Sequence, residues 1–168
     1  MPQYTILIDY QLCFDCKACE VACKQENDLP VGPKWIHIVT IGPKKVGDKL
    51  VLDFLPMTCM HCAKPPCIDA CPTDAITKRQ DGIVIIDPAL CNGCMACIPA
   101  CPFAAPQFNP EKNVVEKCNL CLNRVEKGLK PSCVQACPSG AIYFGEVNEV
   151  IQLIREQRAQ VLTGIAQL

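Results

Sequence analysis

Aromatic side chains make up only 5% of the 168 residues, and there is a single tryptophan. The chain is therefore short of the large rings that dominate ordinary cores. Its 50% hydrophobic content includes sixteen cysteines, so the apolar core is smaller than that figure implies. Catalytic signatures are missing as well. There is no G-x-G-x-x-G, no P-loop and no Ser/His/Asp set, and nothing suggests substrate-pocket chemistry. No secretory leader is expected: Met1-Pro2-Gln3 runs straight into a β-prone stretch, and no twin-arginine pair occurs near the start. The one uncharged run long enough to span a bilayer is residues 88–110. It holds five prolines and four cysteines, which excludes a continuous helix. The length suits one or two compact domains.

The cysteines form four sets of four, with none left over: Cys13, Cys16, Cys19 and Cys23; Cys59, Cys62, Cys67 and Cys71; Cys91, Cys94, Cys97 and Cys101; Cys118, Cys121, Cys133 and Cys137. The third set reads C-x2-C-x2-C-x3-C-P, the bacterial ferredoxin run, whose usual load is an iron–sulfur cubane. A disulfide framework would also use an even number of cysteines, but ligand thiolates must stay reduced. Reducing compartments keep them so, which makes the cytoplasm the simplest address. Export alongside a partner carrying its own signal is the other route.

Two internal repeats organise the sets. I-D-Y-Q-L-C-F-D-C-K-A-C-E-V-A-C from Ile8 matches I-D-P-A-L-C-N-G-C-M-A-C-I-P-A-C from Ile86 at an offset of 78. C-I-D-A-C-P-T-D-A-I from Cys67 matches C-V-Q-A-C-P-S-G-A-I from Cys133 at an offset of 66. Asp81-Gly82 is a turn signal, so a strand at Ala75–Lys78 is expected to pair with one at Ile83–Asp87. By the repeat, Ala141–Phe144 pairs with Thr5–Asp9. The expected fold class is α+β: two ferredoxin-like two-cluster units, the inner one inserted in a permuted outer one. Residues 1–54 form the first part of the outer unit with a cover hairpin, 55–106 the inner unit, and 107–168 the second part of the outer unit with a C-terminal helix over Asn148 to Leu162. The cover hairpin is expected over Trp35–Ile41 and Leu50–Leu55, with a turn at residues 42–48. A short pair is expected at Gln107–Phe108 and Val114–Glu116. Both are read as shields for the metal sites.

Zinc also accepts four thiolates. Three consecutive x2-spaced cysteines in sets one and three suit a cubane face better than a tetrahedral ion. Proline follows Cys71, Cys101 and Cys137, whereas Lys24 follows Cys23. In two-cluster ferredoxins the fourth cysteine serves the other cluster. The expected ligand sets are therefore Cys13, Cys16, Cys19 with Cys137; Cys118, Cys121, Cys133 with Cys23; Cys59, Cys62, Cys67 with Cys101; and Cys91, Cys94, Cys97 with Cys71, giving four [4Fe-4S] clusters. The formal charge is −1. Each cubane with its thiolates carries −2, so the loaded chain stands at about −9. Nucleic acid is excluded as a partner on that ground, and a basic protein face is favoured. The apo-chain is expected to be largely unfolded.

Other residues receive plainer readings. His61 is expected to hydrogen-bond sulfur or backbone, and His37 and Trp35 to pack on the cover hairpin. Lys17, Lys64 and Lys117 flank ligands; solvated lysine is the default reading, and raising a cluster's potential or guiding docking is the other. Asp15, Lys17 and Glu20 let the first set face water, while Met95, Ile98 and Phe103 give the third an apolar surface that either packs against the protein's own other half or docks a second protein.

These four sets, the C-M-H-C-A-K-P-P-C run at Cys59 and the C-x2-C-x11-C-x3-C-P run at Cys118 resemble the electron-transfer subunits of molybdenum and tungsten pterin oxidoreductases, such as dimethyl sulfoxide reductase and formate dehydrogenase. The resemblance covers nearly the whole chain. It implies four clusters in a line, no catalytic residue on this chain, and a Mo/W-pterin catalytic subunit as partner against the outer unit. The inner unit would meet a second redox protein, such as a flavin-containing reductase or another copy of a similar subunit. The chain is similar in size to the small subunit of bacterial tungsten aldehyde oxidoreductases, and is expected to lack the C-terminal membrane helix that some relatives carry. Hydrogenase-linked carriers share the motifs. A free-standing polyferredoxin is the competing reading, and a zinc-stabilised scaffold a third.

Overall fold

A computed structural model describes residues 2–164; the last four residues of the 107–168 segment lie outside them. Within the described residues fifteen short elements alternate with cysteine loops, and the fold is α+β. Four separate two-stranded sheets carry the β structure there. Strand β1 (Tyr4–Ile8) pairs antiparallel with β8 (Ile142–Glu146), and β4 (Ile76–Lys78) with β5 (Val84–Ile86). Both pairings are the ones the repeats imply. The equivalence extends to single hydrogen bonds. The Asp9 amide donates to the Ala141 carbonyl and the Asp87 amide to the Ala75 carbonyl, each at 2.8 Å. Both aspartates then turn the chain into a cysteine loop by accepting from the amide two residues on, Gln11 at 3.1 Å and Ala89 at 2.8 Å.

The two strand pairs touch through their ends. At the β4–β5 turn Gly82 has φ +85, and a Cβ there would meet the Gln3 side chain at 2.8 Å. The Tyr4 amide donates to the Asp81 carbonyl at 3.0 Å, and Gln3 Nε2 to the Gln80 carbonyl at 2.7 Å. Four helical segments carry cysteines of the four sets: α1 (Ala18–Glu26), α2 (Pro66–Asp69), α3 (Cys97–Ala100) and α5 (Ser132–Gln135). Helix α1 packs on α5, and α2 on α3. A further turn, α4 (Leu122–Val125), follows Cys121.

The cover hairpin differs from expectation. Its strands β2 (Ile36–Val46) and β3 (Lys49–Thr58) run almost to the tip, leaving Gly47-Asp48 between them. Gly42-Pro43 is absorbed as an irregularity between Ile41 and Lys44. Gly42 has φ +117, and a Cβ there would sit 2.8 Å from the Val51 carbonyl oxygen. A proline donates no ladder hydrogen bond, so the pairing skips it. Full burial is confined to the base of this hairpin, around Trp35, Ile36, Ile38, Pro56 and Thr58; beyond Ile38 strand β2 is exposed, while on β3 Phe54, opposite Thr40, still packs partly against the core. The base covers a cysteine site, and the arm does not. The short pair β6 (Gln107–Asn109) and β7 (Val114–Glu116) forms as expected.

Helix α6 (Val147–Leu162) lies on β1 and β8. Val150 is fully buried, which contributes on the order of 2 kcal/mol. Ile154 and Val161 are half-buried, while Ile151, Leu153 and Leu162 of the expected apolar set face solvent. Polar contacts complete the face instead: Tyr143 hydroxyl donates to Gln157, and Arg158 pairs with Asp9 at 2.7 Å. Among the described residues no helix is long and apolar enough to cross a membrane.

Candidate metal-cluster sites

The cysteine loops curl because alternate residues take left-handed backbone. In the first set these are Asp15 (φ 62) and Lys17 (φ 61); 78 residues on they are Gly93 (φ 70) and Met95 (φ 62). In the second and fourth sets His61 (φ 43) and Leu120 (φ 56) hold corresponding places. Left-handed kinks turn successive amides inward and build an electropositive nest suited to an anion. Side chains brace the turns. Asn92 Oδ1 accepts from the Cys94 amide at 3.1 Å, and Asn119 Oδ1 from the Cys121 amide at 2.9 Å. Sulfurs accept too: Cys91 from the Val115 amide and Cys118 from the Leu120 amide, both at 3.4 Å. The β6–β7 pair thus reaches a cysteine sulfur directly.

Cysteines distant in sequence converge. One cavity is lined by Cys59, Cys62, Cys67 and Cys101, a second by Cys71, Cys91, Cys94 and Cys97, and a third by Cys23, Cys118, Cys121 and Cys133. Around Cys19 the interacting thiols are Cys137 and Cys13. Helix α1 serves two places at once, because Cys19 and Cys23 lie one turn apart on one buried face. Cys16 and Cys94, the middle members of the two repeated loops, are the exposed ones.

These thiols resist ionising alone. Burial, then neighbouring thiols, pushes Cys19 and Cys23 up to about 12. Burial pushes Cys97 and Cys118 up to about 11, and raises Cys133 furthest. For Cys71 burial acts the same way, but hydrogen bonds from the Thr73 amide and hydroxyl and the Ala75 and Ile76 amides outweigh it and lower the thiol. Metal binding must therefore release protons from nearly every set. Among the described residues no three Cys, His, Asp or Glu side chains are placed to hold a single metal ion. A lone zinc would draw its sulfurs to about 2.3 Å. Four convergent sulfurs spread round a cavity, with amides donating to them, fit a cubane instead.

Two family models, each described as a 4Fe-4S dicluster domain, match the chain, one over residues 50–147 and the other over residues 12–75. The chain belongs to this family. It carries four [4Fe-4S] clusters and is an iron–sulfur electron-transfer subunit of an oxidoreductase complex, not a catalytic subunit. It is 39% identical to the thiosulfate reductase electron transfer subunit of Salmonella typhi, over 88% of this chain and 78% of that one. It is 38% identical to a chain of the anaerobic dimethyl sulfoxide reductase of Escherichia coli strain K12, over 88% and 76%. A dimethyl sulfoxide reductase iron–sulfur subunit of Halobacterium salinarum is 38% identical, over 89% and 68%.

Several flanking residues of this family member depart from their sequence readings. Lys117 is not solvated: it is 3% exposed, and its ammonium donates to the Val84 carbonyl and, at 3.2 Å, to the Cys118 carbonyl. Lys17 keeps partial exposure and pairs with Asp15. Lys64 is exposed. Glu20, counted among the charges that let the first set face water, is 5% exposed. It accepts from Lys34 Nζ at 2.6 Å, the Ile38 amide at 2.7 Å and His37 Nδ1 at 2.9 Å. Burial would raise its carboxyl, but these bonds hold it below the ordinary carboxylate range. His37 is therefore part of a clamp between α1 and β2 rather than apolar packing. His61 accepts from the Val84 amide at 3.0 Å through Nδ1, as a backbone partner should, which leaves the proton on Nε2. Burial, then Lys117 and Lys78, pushes it down to about 3, so it is neutral. Trp35 is buried and lines the cavity of Cys23, Cys118, Cys121 and Cys133. In the third loop Met95 and Phe103 are exposed, at 45% and 37%, while Ile98 packs inward.

Proposed function

We propose that this chain is a four-cluster wire between a Mo- or W-pterin catalytic subunit and a second redox protein. The clusters are held by Cys13, Cys16, Cys19 and Cys137; by Cys118, Cys121, Cys133 and Cys23; by Cys59, Cys62, Cys67 and Cys101; and by Cys91, Cys94, Cys97 and Cys71. When bound, each takes up and passes on one electron. Supporting this sharing are the three cavities lined by complete quartets and the closeness of Cys19 to Cys13 and Cys137. The same reading makes residues 55–106 a ferredoxin-like unit inserted in a permuted outer unit built from 1–54 and 107–168. The crossed pairings of β1 with β8 and of β4 with β5 support it.

The observation that carries the wire is the closeness of the two pairs. Cys118 of one quartet lies beside Cys59 of another, while Cys133 neighbours Cys19 and Cys97 neighbours Cys67. In space the sites then follow one order, from the Cys13 set through the Cys118 and Cys59 sets to the Cys91 set. In this reading the outer end meets the catalytic subunit, and the inner end, with Met95 and Phe103 exposed, meets a flavin-containing reductase or another copy of a similar subunit. Thiolate ligands favour a cytoplasmic, reducing address. The test is co-purification from the native source. A large subunit containing molybdenum or tungsten is expected with this chain; tungsten with aldehyde oxidation would give the aldehyde oxidoreductase form. Recovery of the chain alone, with all its iron and competent as a free carrier, would overturn the subunit reading.

A further inference from the structure

We propose that Lys117 raises the reduction potential of the cluster at Cys59, Cys62, Cys67 and Cys101 above that of its neighbour at Cys23, Cys118, Cys121 and Cys133. The inference rests on the ligand sharing proposed above. Lys117 is buried, and two of its three N–H donors are accounted for by the Val84 and Cys118 carbonyls. Among the described residues every ion pair lies elsewhere, and no carboxylate meets this ammonium. A buried cation with no counter-ion is strongly unfavourable. The anionic partner consistent with the position is a thiolate-coated cluster. Lys117 lines the same cavity as Cys59, Cys62, Cys67 and Cys101.

The chain carries its own control. Thr58 precedes Cys59 as Lys117 precedes Cys118, at the start of equivalent C-x-x-C turns. Thr58 is also buried; its hydroxyl donates to the Trp35 carbonyl at 2.9 Å and interacts with Cys118. So the Cys118 site meets a neutral hydroxyl where the Cys59 site meets an ammonium. Cluster potentials follow net charge, hydrogen bonding to sulfur and exposure. Reduction adds one negative charge, which a buried ammonium favours and deep burial without a cation opposes. One electron leaving the Cys118-side cluster oxidises it and reduces the Cys59-side cluster. Lys117 makes that crossing, between the two cluster pairs, downhill toward the inner pair.

The test is a redox titration of the four-cluster protein followed by electron paramagnetic resonance, with Cys101→Ala and Cys23→Ala assigning the two central signals. Lys117→Gln keeps a donor for the Val84 carbonyl and removes the charge. It is expected to lower the reduction equilibrium of the Cys59-side cluster at least tenfold, about 59 mV for one electron. The Cys118-side cluster should shift less and the outermost two not at all, with iron content unchanged. Lys117→Arg is expected to restore the original value. Unchanged potentials, or an equal shift in all four, would overturn the proposal. If Lys117→Gln does not assemble, the unsubstituted protein decides: the Cys59-side cluster must titrate above its neighbour, and the reverse order refutes the idea. Failure of the ligand sharing looks different, because Cys101→Ala would then extinguish the same signal as Cys91→Ala.

Discussion

Replacing Cys137 by alanine removes one donor atom at the C-terminal end of the chain, and its damage should appear at the N-terminal end. Cys137 neighbours Cys19, roughly 118 residues away in sequence. A cross-link closing a loop of that length constrains the unfolded state by about 5 kcal/mol. That figure is a ceiling for the conformational effect, because the loop is closed a second time. Strands β1 and β8 pair in register from Tyr4 against Glu146 to Ile8 against Ile142, and Arg158 of α6 pairs with Asp9. The variant should therefore stay folded and lose one cluster: about 12 iron and 12 sulfide in place of about 16 of each. Crossing variants identifies which one. Cys137→Ala with Cys13→Ala should still bind about 12 iron, because both changes strike one cluster, whereas Cys137→Ala with Cys118→Ala should bind about 8. Iron and acid-labile sulfide analysis reads all three. The reverse pattern, with Cys137 and Cys118 acting on one cluster, would refute both the ligand sharing and the permuted arrangement of the two units.

Glu20→Ala leaves the buried Ile38 amide without its acceptor and should cost about 1–3 kcal/mol, measured as a lower urea midpoint of the loaded protein; an unchanged midpoint denies the clamp any stabilising part. Gly93→Ala forces a Cβ to 2.6 Å from the Asn113 carbonyl oxygen at φ +70, so about 4 of the 16 iron should be lost with the Cys91-side cluster. Asp15→Gly, at the equivalent turn with φ 62, should leave the iron unchanged. Met95→Lys, on a side chain 45% exposed, should preserve full iron content yet slow electron transfer to one partner, and undiminished rates with every partner would remove the docking role of that loop.

The cofactor was legible in the chain because thiolate chemistry is local. A C-x2-C-x2-C loop can only curl, whatever surrounds it, and the offsets of 78 and 66 announce both strand pairings, down to the matched Asp9 and Asp87 hydrogen bonds. What the chain could not announce is burial, which depends on elements far apart in sequence. Lys117 and Glu20 look like ordinary surface charges, since each lies beside a cysteine in a polar loop. Lys117 is buried because β5 brings the Val84 carbonyl across it, and Glu20 because β2 brings the Ile38 amide. The extent of β2 and β3 escaped for a related reason: Gly-Pro reads as a turn, but a bulge opposite Leu52 lets the ladder continue past it. Gly93 is required by the Asn113 carbonyl on the connection between β6 and β7, while its equivalent, Asp15, carries a full side chain in the same left-handed conformation. Spacing and side-chain chemistry thus determined the cofactor and the sulfurs available to it. Tertiary packing alone decided which charges those atoms face, because a side chain's neighbours across space are set by the fold and not by its neighbours in the chain.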